Sequence, residues 1–162
     1  MAVVTVQQLE RPGDVVLREK FGTPDVQTSD AISPDLARYL ESLSFFFIST
    51  SDKRGECDAS FRSKRGRSLL LKIMDGNSIV FPDYLGNGSF RSLGNILENP
   101  HIGMLFIDLR SGLRIRVNGE AQVSDDLKWL DEFPGSIQVV KVRVREVYKQ
   151  NRPVELGRSF GR

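Results

Sequence analysis

Between Phe81 and Pro100 the chain runs Phe81-Pro82-Asp83-Tyr84-Leu85-Gly86-Asn87-Gly88, continues Ser89-Phe90-Arg91-Ser92-Leu93-Gly94-Asn95-Ile96, and closes on Leu97-Glu98-Asn99-Pro100. This reads as a strand end, a turn rich in Gly and Asn, a cation beside a hydroxyl, and a short helix stopped by Asn-Pro. Gly86 and Gly88 let the backbone take positive φ and approach a ligand closely. Arg91 and Ser92 then stand at the start of the helix, where backbone amides without helical partners favour negative charge. The chemistry that suits these residues is recognition of an anion, with a phosphate-bearing ligand the natural candidate. The same residues also make an ordinary hairpin-to-helix turn with a solvated Arg.

Other side chains carry chemistry at a lower specificity. Arg114, Arg116 and Asn118 alternate with Ile115 and Val117 over Leu113 to Gly119, so one strand face is cationic and the other apolar. Such a face is either the wet side of an antiparallel strand or the wall of an anion groove. Arg67 and Lys72 are i and i+5 on a second strand, which sends them to opposite faces unless a bulge intervenes. Asp58 and Ser60 suit either turn backbone groups or a cofactor. His101 follows Asn-Pro at a helix exit and reads as a capping or packing residue. Cys57 reads as a small buried residue, since nothing near it in sequence activates a thiol.

The elements that must position these residues are mostly strands. A short helix capped by Asp14, with Val15, Val16 and Phe21 on one stripe, ends at Gly22-Thr23-Pro24. Ser33-Pro34-Asp35 starts a second helix, with Ser33 as N-cap and Pro34 at its first position, and Leu36, Tyr39, Leu40 and Leu43 form its apolar face. Strands follow at Phe45 to Thr50, Cys57 to Phe61, Arg67 to Ile73 and Ser78 to Phe81, with a tight hairpin at Asp75-Gly76-Asn77. A helix over 91–98 leads to strands at Gly103 to Asp108, Leu113 to Gly119 and Ile137 to Val147. Asp125 to Glu132 is a short helix in which Trp129 packs against the sheet, and Phe45, Phe46 and Phe47 belong to the core. About six or seven short antiparallel strands with few helices predict a mainly β (α+β) barrel or sandwich, because the connections are too short for helical crossovers.

At 162 residues and 40% hydrophobic content the chain fits one soluble domain. A net charge of +2 does not by itself call for nucleic acid, although Lys and Arg cluster at Lys53-Arg54 and from Arg62 to Arg67. One Cys and one His leave little material for a transition-metal site and none for an intrachain disulfide. Met1-Ala2-Val3-Val4 lacks the flank and apolar run of a signal peptide, and no stretch approaches the roughly 20 apolar residues that span a bilayer. The expectation is a cytoplasmic protein with neither membrane nor nucleic acid as partner.

The stretch Phe81 to Pro100 resembles the flavin-binding segment of the pyridoxamine 5'-phosphate oxidase-like family, the FMN-binding split-barrel proteins. It is most similar to a bacterial branch with an Asp-Tyr-x-Gly-Asn-Gly turn followed by Ser-Leu-Gly-Asn-Ile, and Asn87 falls in that turn. The likeness continues through His101 to Asp108 and Arg116-Val117-Asn118-Gly119, and upstream through Asp58-Ala59-Ser60-Phe61-Arg62, which looks like the branch's Asp-x-Ser-x-Arg segment. It covers roughly residues 40–148, with a weaker likeness over 14–24 and 148–160.

This resemblance implies a six- to seven-stranded antiparallel split β-barrel over residues 1–162, with a helical N-terminal extension over 1–32 and a tail over 148–162. It also implies a homodimer with FMN at the subunit interface. Arg67-Ser68-Leu69-Leu70-Leu71-Lys72 matches the oxidases' Arg-x-Val-Leu-Leu-Lys strand, which borders the flavin ring. Pro82 and Asp83 fall at the next flavin-contacting pair, Arg91-Ser92 at the phosphate-binding Arg-Lys pair, and Arg114 where the oxidases use a Gln of the partner chain. Asn151 replaces the branch's usual Cys, and no match exists to the oxidases' C-terminal substrate segment, so a small substrate other than pyridoxamine phosphate is expected. The leading expectation is an FMN-dependent oxidoreductase with no dedicated acid–base residue. Its alternatives are a deazaflavin (F420) reductase, for which Arg62, Lys64 and Arg65 leave a basic groove open, a non-catalytic flavin-binding protein, and a structural dimer without a cofactor.

Overall fold

The computed structural model describes residues 11–86 and 88–150. Seven strands, β1 (Phe45–Ser51), β2 (Cys57–Ser63), β3 (Lys72–Met74), β4 (Ser78–Asp83), β5 (His101–Ile107), β6 (Arg114–Ser124) and β7 (Gln138–Gln150), form one sheet in the order β2-β1-β5-β6-β7-β4-β3. Every neighbouring pair is antiparallel. The edges β2 and β3 are not hydrogen-bonded to each other, so the sheet curls without closing. Its curvature is read from Phe46 on β1, whose ring lies 5.3 Å from Phe81 on β4 and 5.2 Å from Phe106 on β5. β1 and β4 are four places apart, and a flat sheet would separate them by about 19 Å.

Alternation assigns the two faces. Phe46 and Ile48 of β1, Met104 and Phe106 of β5, Ile115 and Val117 of β6, and Val140, Val142 and Val144 of β7 are buried, as the sequence pattern requires. On the other face a row of directly opposed residues crosses five strands: Phe61, Phe47, Leu105, Arg116 and Tyr148. Helix α4 (Leu127–Glu132) covers the far end of this outer face, where Trp129 and Phe133 bury Val80 and Val139.

Helix α2 (Pro34–Ser42) begins as its sequence predicts: Ser33 accepts the Leu36 amide, Pro34 fills the first turn, and Leu36 and Leu40 are buried. Helix α1 (Pro12–Phe21) differs from expectation. Its N-cap is Arg11, Asp14 lies inside the first turn, and none of its residues is buried, so the stripe with Val16 and Phe21 is not packed on its own sheet. Residues 22–33 hold no helix, and Ser29 instead bridges to Val147. At the other end β7 runs on through 148–150.

The strand expected from Arg67 shrinks to Lys72–Met74. Leu70 and Leu71 both enter the same core cluster, and consecutive side chains on a regular strand cannot face the same side. Gly66, at φ 56°, and the Ser68 amide bonded to the Arg65 carbonyl fold this stretch into a turn. The predicted hairpin is present, with φ positive at Asp75 and Gly76 and the Asn77 amide donating to the Met74 carbonyl, the signature of a type I′ turn. Cys57 is exposed rather than buried, because it lies on the outer face of an edge strand that no helix covers.

Two local features fix the longest ladder. Between Asn118 and Gly119 the β6–β7 register shifts by a bulge. A Cβ on Gly119 would lie 2.3 Å from the Arg143 carbonyl oxygen and 2.9 Å from Val142 Cγ1, so this close approach requires glycine. Beyond the β5–β6 turn, the Asp108 carboxylate accepts from Tyr39 Oη at 2.6 Å, Ser111 Oγ at 2.9 Å and the Arg110 amide at 2.9 Å, tying α2 to the turn. These donors, Tyr39 foremost, hold the Asp108 carboxyl well below the usual carboxylate range.

Gly119→Ala is expected to destabilise the protein by more than about 2 kcal/mol, read as a lower urea midpoint. An unchanged midpoint would mean the bulge relaxes without cost. The lowered Asp108 pKa adds stability that is complete above the unfolded value of 3.8 and is lost as pH falls toward the folded value. Tyr39→Phe should therefore be less stable at neutral pH and show a shallower fall in Tm from about pH 4 downward than the parent. Parallel Tm curves would remove Tyr39 from this linkage.

Candidate functional site

Where the sheet fails to close, the inner face of β2 looks across a gap at the end of β4. Asp58, Ser60 and Arg62 stand opposite the buried Thr50, Ile48 and Phe46, so all three point inward. Asp83 ends β4 with 5% exposure. Arg62 Nη1 meets Asp83 Oδ1 at 2.6 Å, and Gln138 Nε2 donates to Asp83 Oδ2 at 3.3 Å. The Arg62 side chain is 18% exposed, so this ion pair is largely desolvated. Arg62 Nε is buried without an acceptor.

Helix α3 (Arg91–Glu98) closes one end of the gap. Its amphipathic face buries Leu93 and Ile96 in the core. Asn95 Nδ2 donates to Thr50 Oγ1 at 3.1 Å and Asn99 Nδ2 to Ser51 Oγ at 3.0 Å, which pins the helix to β1. Its N-cap is Phe90 in the left-handed region, φ 45°, and no side chain caps the first turn. A bulky residue in that conformation costs on the order of 1–3 kcal/mol, a strain characteristic of sites that hold ligands. Gly88, at φ 77°, brings the chain into this turn.

A cavity of about 360 Å³ lies between these elements, lined by Asp58, Ser60, Arg62, Asp83, Arg91 and Ser92 together with Tyr84, Gly86 and residues 88–90. Ser92 is buried and its hydroxyl donates to Asp58 Oδ2 at 2.6 Å. That bond orients Asp58 at the cavity wall. Arg91 is exposed and has no ion-pair partner among the described residues. The cavity therefore combines one neutralised pair, one carboxylate held by a hydroxyl, and one unopposed cation at a helix N-terminus. Such a set has the charge and the free amides that suit an anion beside Arg91.

The structure thus brings Asp58, Ser60, Asp83, Arg91 and Ser92 together. The 65–69 turn is clipped to the cavity mouth: Arg65 stacks 4.6 Å over the Tyr84 ring and donates to the Leu85 carbonyl, and Tyr84 Oη donates to Ser68 Oγ. Arg67 and Leu69 are exposed on that turn, and Leu70 is in the core. Lys72 and Pro82 lie on the opposite face from Asp83, and Lys72 pairs with Glu132 of α4 at 3.2 Å. Arg114 and Arg116 are on the outer face of β6, where Arg116 donates to Tyr148 Oη at 3.0 Å. Asn87 and Asn151 lie outside the described residues. Arg62 is the residue that sequence reasoning undervalued. Its signal was the i, i+2, i+4 alternation with Asp58 and Ser60, but its partner Asp83 is 21 positions away. Among the described residues, no helix is long and apolar enough to cross a membrane, and no group of three or more His, Cys, Asp and Glu is placed to hold a metal ion.

A family model described as pyridoxamine 5'-phosphate oxidase matches residues 32–151. Among solved structures, HupZ from Group A Streptococcus is 16% identical, covers 77% of this chain and 99% of its own, and superposes with a TM-score of 0.58. A putative pyridoxamine 5'-phosphate oxidase from Lactobacillus delbrueckii is 19% identical over 74% of this chain and 95% of its own, with a TM-score of 0.57. A Clostridium acetobutylicum protein related to general stress protein 26 is 11% identical over 71% of this chain and 84% of its own, at 0.52. At these identities the likeness is one of fold. No curated protein matches the chain.

Arg62→Ala is expected to cost about 3 kcal/mol in urea unfolding, because Asp83 is left buried without its partner. Arg62→Met combined with Asp83→Leu should recover most of that loss. If Arg62→Ala falls within about 0.5 kcal/mol of the parent, the pair is not what holds the gap.

Proposed function

The chain belongs to the pyridoxamine 5'-phosphate oxidase family, and from that premise we propose that it binds FMN and acts as an FMN-dependent oxidoreductase on a small substrate, as a homodimer. The observation that carries the reading is the uncapped first turn of α3, with Arg91 facing a cavity across from Arg62. A phosphate monoester supplies the anion that this turn and Arg91 suit. The fit extends to Arg62, whose buried Nε lacks an acceptor beside the same cavity. A ligand oxygen there would satisfy a donor that otherwise costs about 1–3 kcal/mol.

When bound, the flavin ring supplies the electron-transfer chemistry. The chain's own residues bind and orient. Arg91 and the α3 amides take the phosphate end. Asp83 fixes the Arg62 guanidinium, and Asp58 is fixed in turn by Ser92. No residue is assigned proton transfer.

The size of the cavity supports a second subunit. About 360 Å³ is near the lower end of ligand pockets, about 300–1,000 Å³, which suits a site whose remaining wall comes from a partner. Arg114 and Arg116 sit on the outer face, away from their own cavity, as residues reaching a partner's site would. That face also carries a triple contact of Phe45, Phe47 and Phe61, with ring centroids 5.5–5.9 Å apart and half-buried to exposed. A deazaflavin with a longer anionic tail is the second reading, for which Arg65, stacked on the cavity-lining Tyr84, is a cation at the mouth.

The protein as purified should show a flavin spectrum, and mass spectrometry of the released ligand should give FMN; a released deazaflavin would select the second reading. Arg91→Ala should weaken FMN at least about tenfold in fluorescence titration, since charged hydrogen bonds contribute about 1.5–3 kcal/mol, and leave riboflavin affinity unchanged. Equal losses for both ligands would place Arg91 away from the phosphate.

A further inference from the structure

Two apolar surfaces of this chain are left uncovered on the same side of the sheet. The first is on α1, where Leu17 and Phe21, one turn apart on one helix edge, are 55% and 67% exposed and no residue is buried. A ten-residue helix is marginal in water without tertiary packing, yet this one is fully formed and ends in a left-handed Gly22 whose flanking amides cap Arg18 and Glu19. The second is the Phe45–Phe47–Phe61 contact, with Leu105 beside it in the cross-strand row and Phe61 57% exposed. Exposed aromatic clusters of this kind mark contact surfaces.

Their positions are complementary. Helix α1 borders the outer face at β6 and β7: Arg11 Nη2 lies 3.5 Å from Glu146 Oε2, and Arg11, Asp14 and Arg18 face Arg116, Glu146 and Tyr148 across a hollow of about 260 Å³. The phenylalanines occupy the other end of that face, on β1 and β2. Four strand spacings, about 19 Å measured along the curled sheet, separate Tyr148 from Phe61 in the shared row. A two-fold axis parallel to the strands exchanges left and right, so a copy related by it would present its α1 on the side of this chain's phenylalanine surface, and the contact would occur twice. The ground between the two surfaces carries both signs of charge, Arg116 and Arg145 beside Glu120 and Glu146, as a self-complementary interface requires.

We infer that α1 is a dimer arm, which packs Leu17 and Phe21 against Phe45, Phe47 and Phe61 of a second copy. The inference rests on the homodimer proposed above and assigns it a contact. It also links assembly to the site. Phe61 lies between Ser60 and Arg62 on β2, so the partner's arm covers the outside of the strand whose inside lines the cavity.

Disulfide trapping tests this arrangement. In a Cys57→Ser background, Phe21→Cys is combined with Phe61→Cys, both exposed positions, and the protein is oxidised mildly. The expected product is a covalent species of twice 18.3 kDa on a non-reducing gel. Neither single variant should give it. A bridge within one chain would leave the species at 18.3 kDa and is distinguished by size. Leu17→Glu in the otherwise unaltered chain should raise the dimer dissociation constant at least tenfold. A dimer by light scattering without the covalent product overturns the arm and leaves the dimer standing. A parent protein that is monomeric overturns both, and trapping by Phe21→Cys alone places arm against arm instead.

Discussion

Asp83 is the charge around which the open side of the sheet is organised. It terminates β4 in a nearly dry position, and the guanidinium that neutralises it comes from β2, at the far edge of the strand order. Hydrogen bonds stop at both edges, so one side-chain pair does what a ladder does elsewhere. The ion pair differs from a ladder in being directional and singular. It fixes the distance between β2 and β4 at one level, near the mouth, and leaves the space toward α3 open. The cavity is a consequence of closing a barrel with a point contact.

The strands away from the opening are held in a more conventional way. β7 pairs with β6 and β4, Val140, Val142 and Val144 supply its inner face, and the bulge at Gly119 bends the ladder. That frame needs no ligand to be stable. The residues proposed to meet the cofactor sit on the edge strand, in the 84–90 segment and in the first turn of α3. Scaffold and site are thus separable, which is how one fold accommodates many substrates.

Local chemistry made much of this legible in the sequence. Asp75-Gly76 demands positive φ at two successive residues, Ser33-Pro34 caps and starts a helix, and strict alternation in β6 and β7 sorts faces without knowledge of the partner strand. Arg91 and Ser92 were found at a helix start because Gly and Asn announce the turn before it. What the sequence hid were long-range pairings. Arg62 reads as one cation in a basic run until Asp83 is placed beside it. The bond from Ser92 to Asp58 and the pairing of Lys72 with Glu132 are likewise contacts between residues far apart in the chain. Leu69-Leu70-Leu71 reads as a strand by its apolar run, whereas two adjacent leucines that enter one core require irregular backbone.

Edge strand β2 has a further consequence. An unpaired strand edge is a template on which other chains can add, and β-rich proteins blunt theirs with inward-pointing charges and short strands. β2 has the first device: it turns Asp58 and Arg62 inward. The side chains that shape the cavity are therefore also the ones that discourage uncontrolled strand addition. Selection for ligand recognition and selection against aggregation act on the same residues, which narrows how far this wall can drift even if the ligand changes.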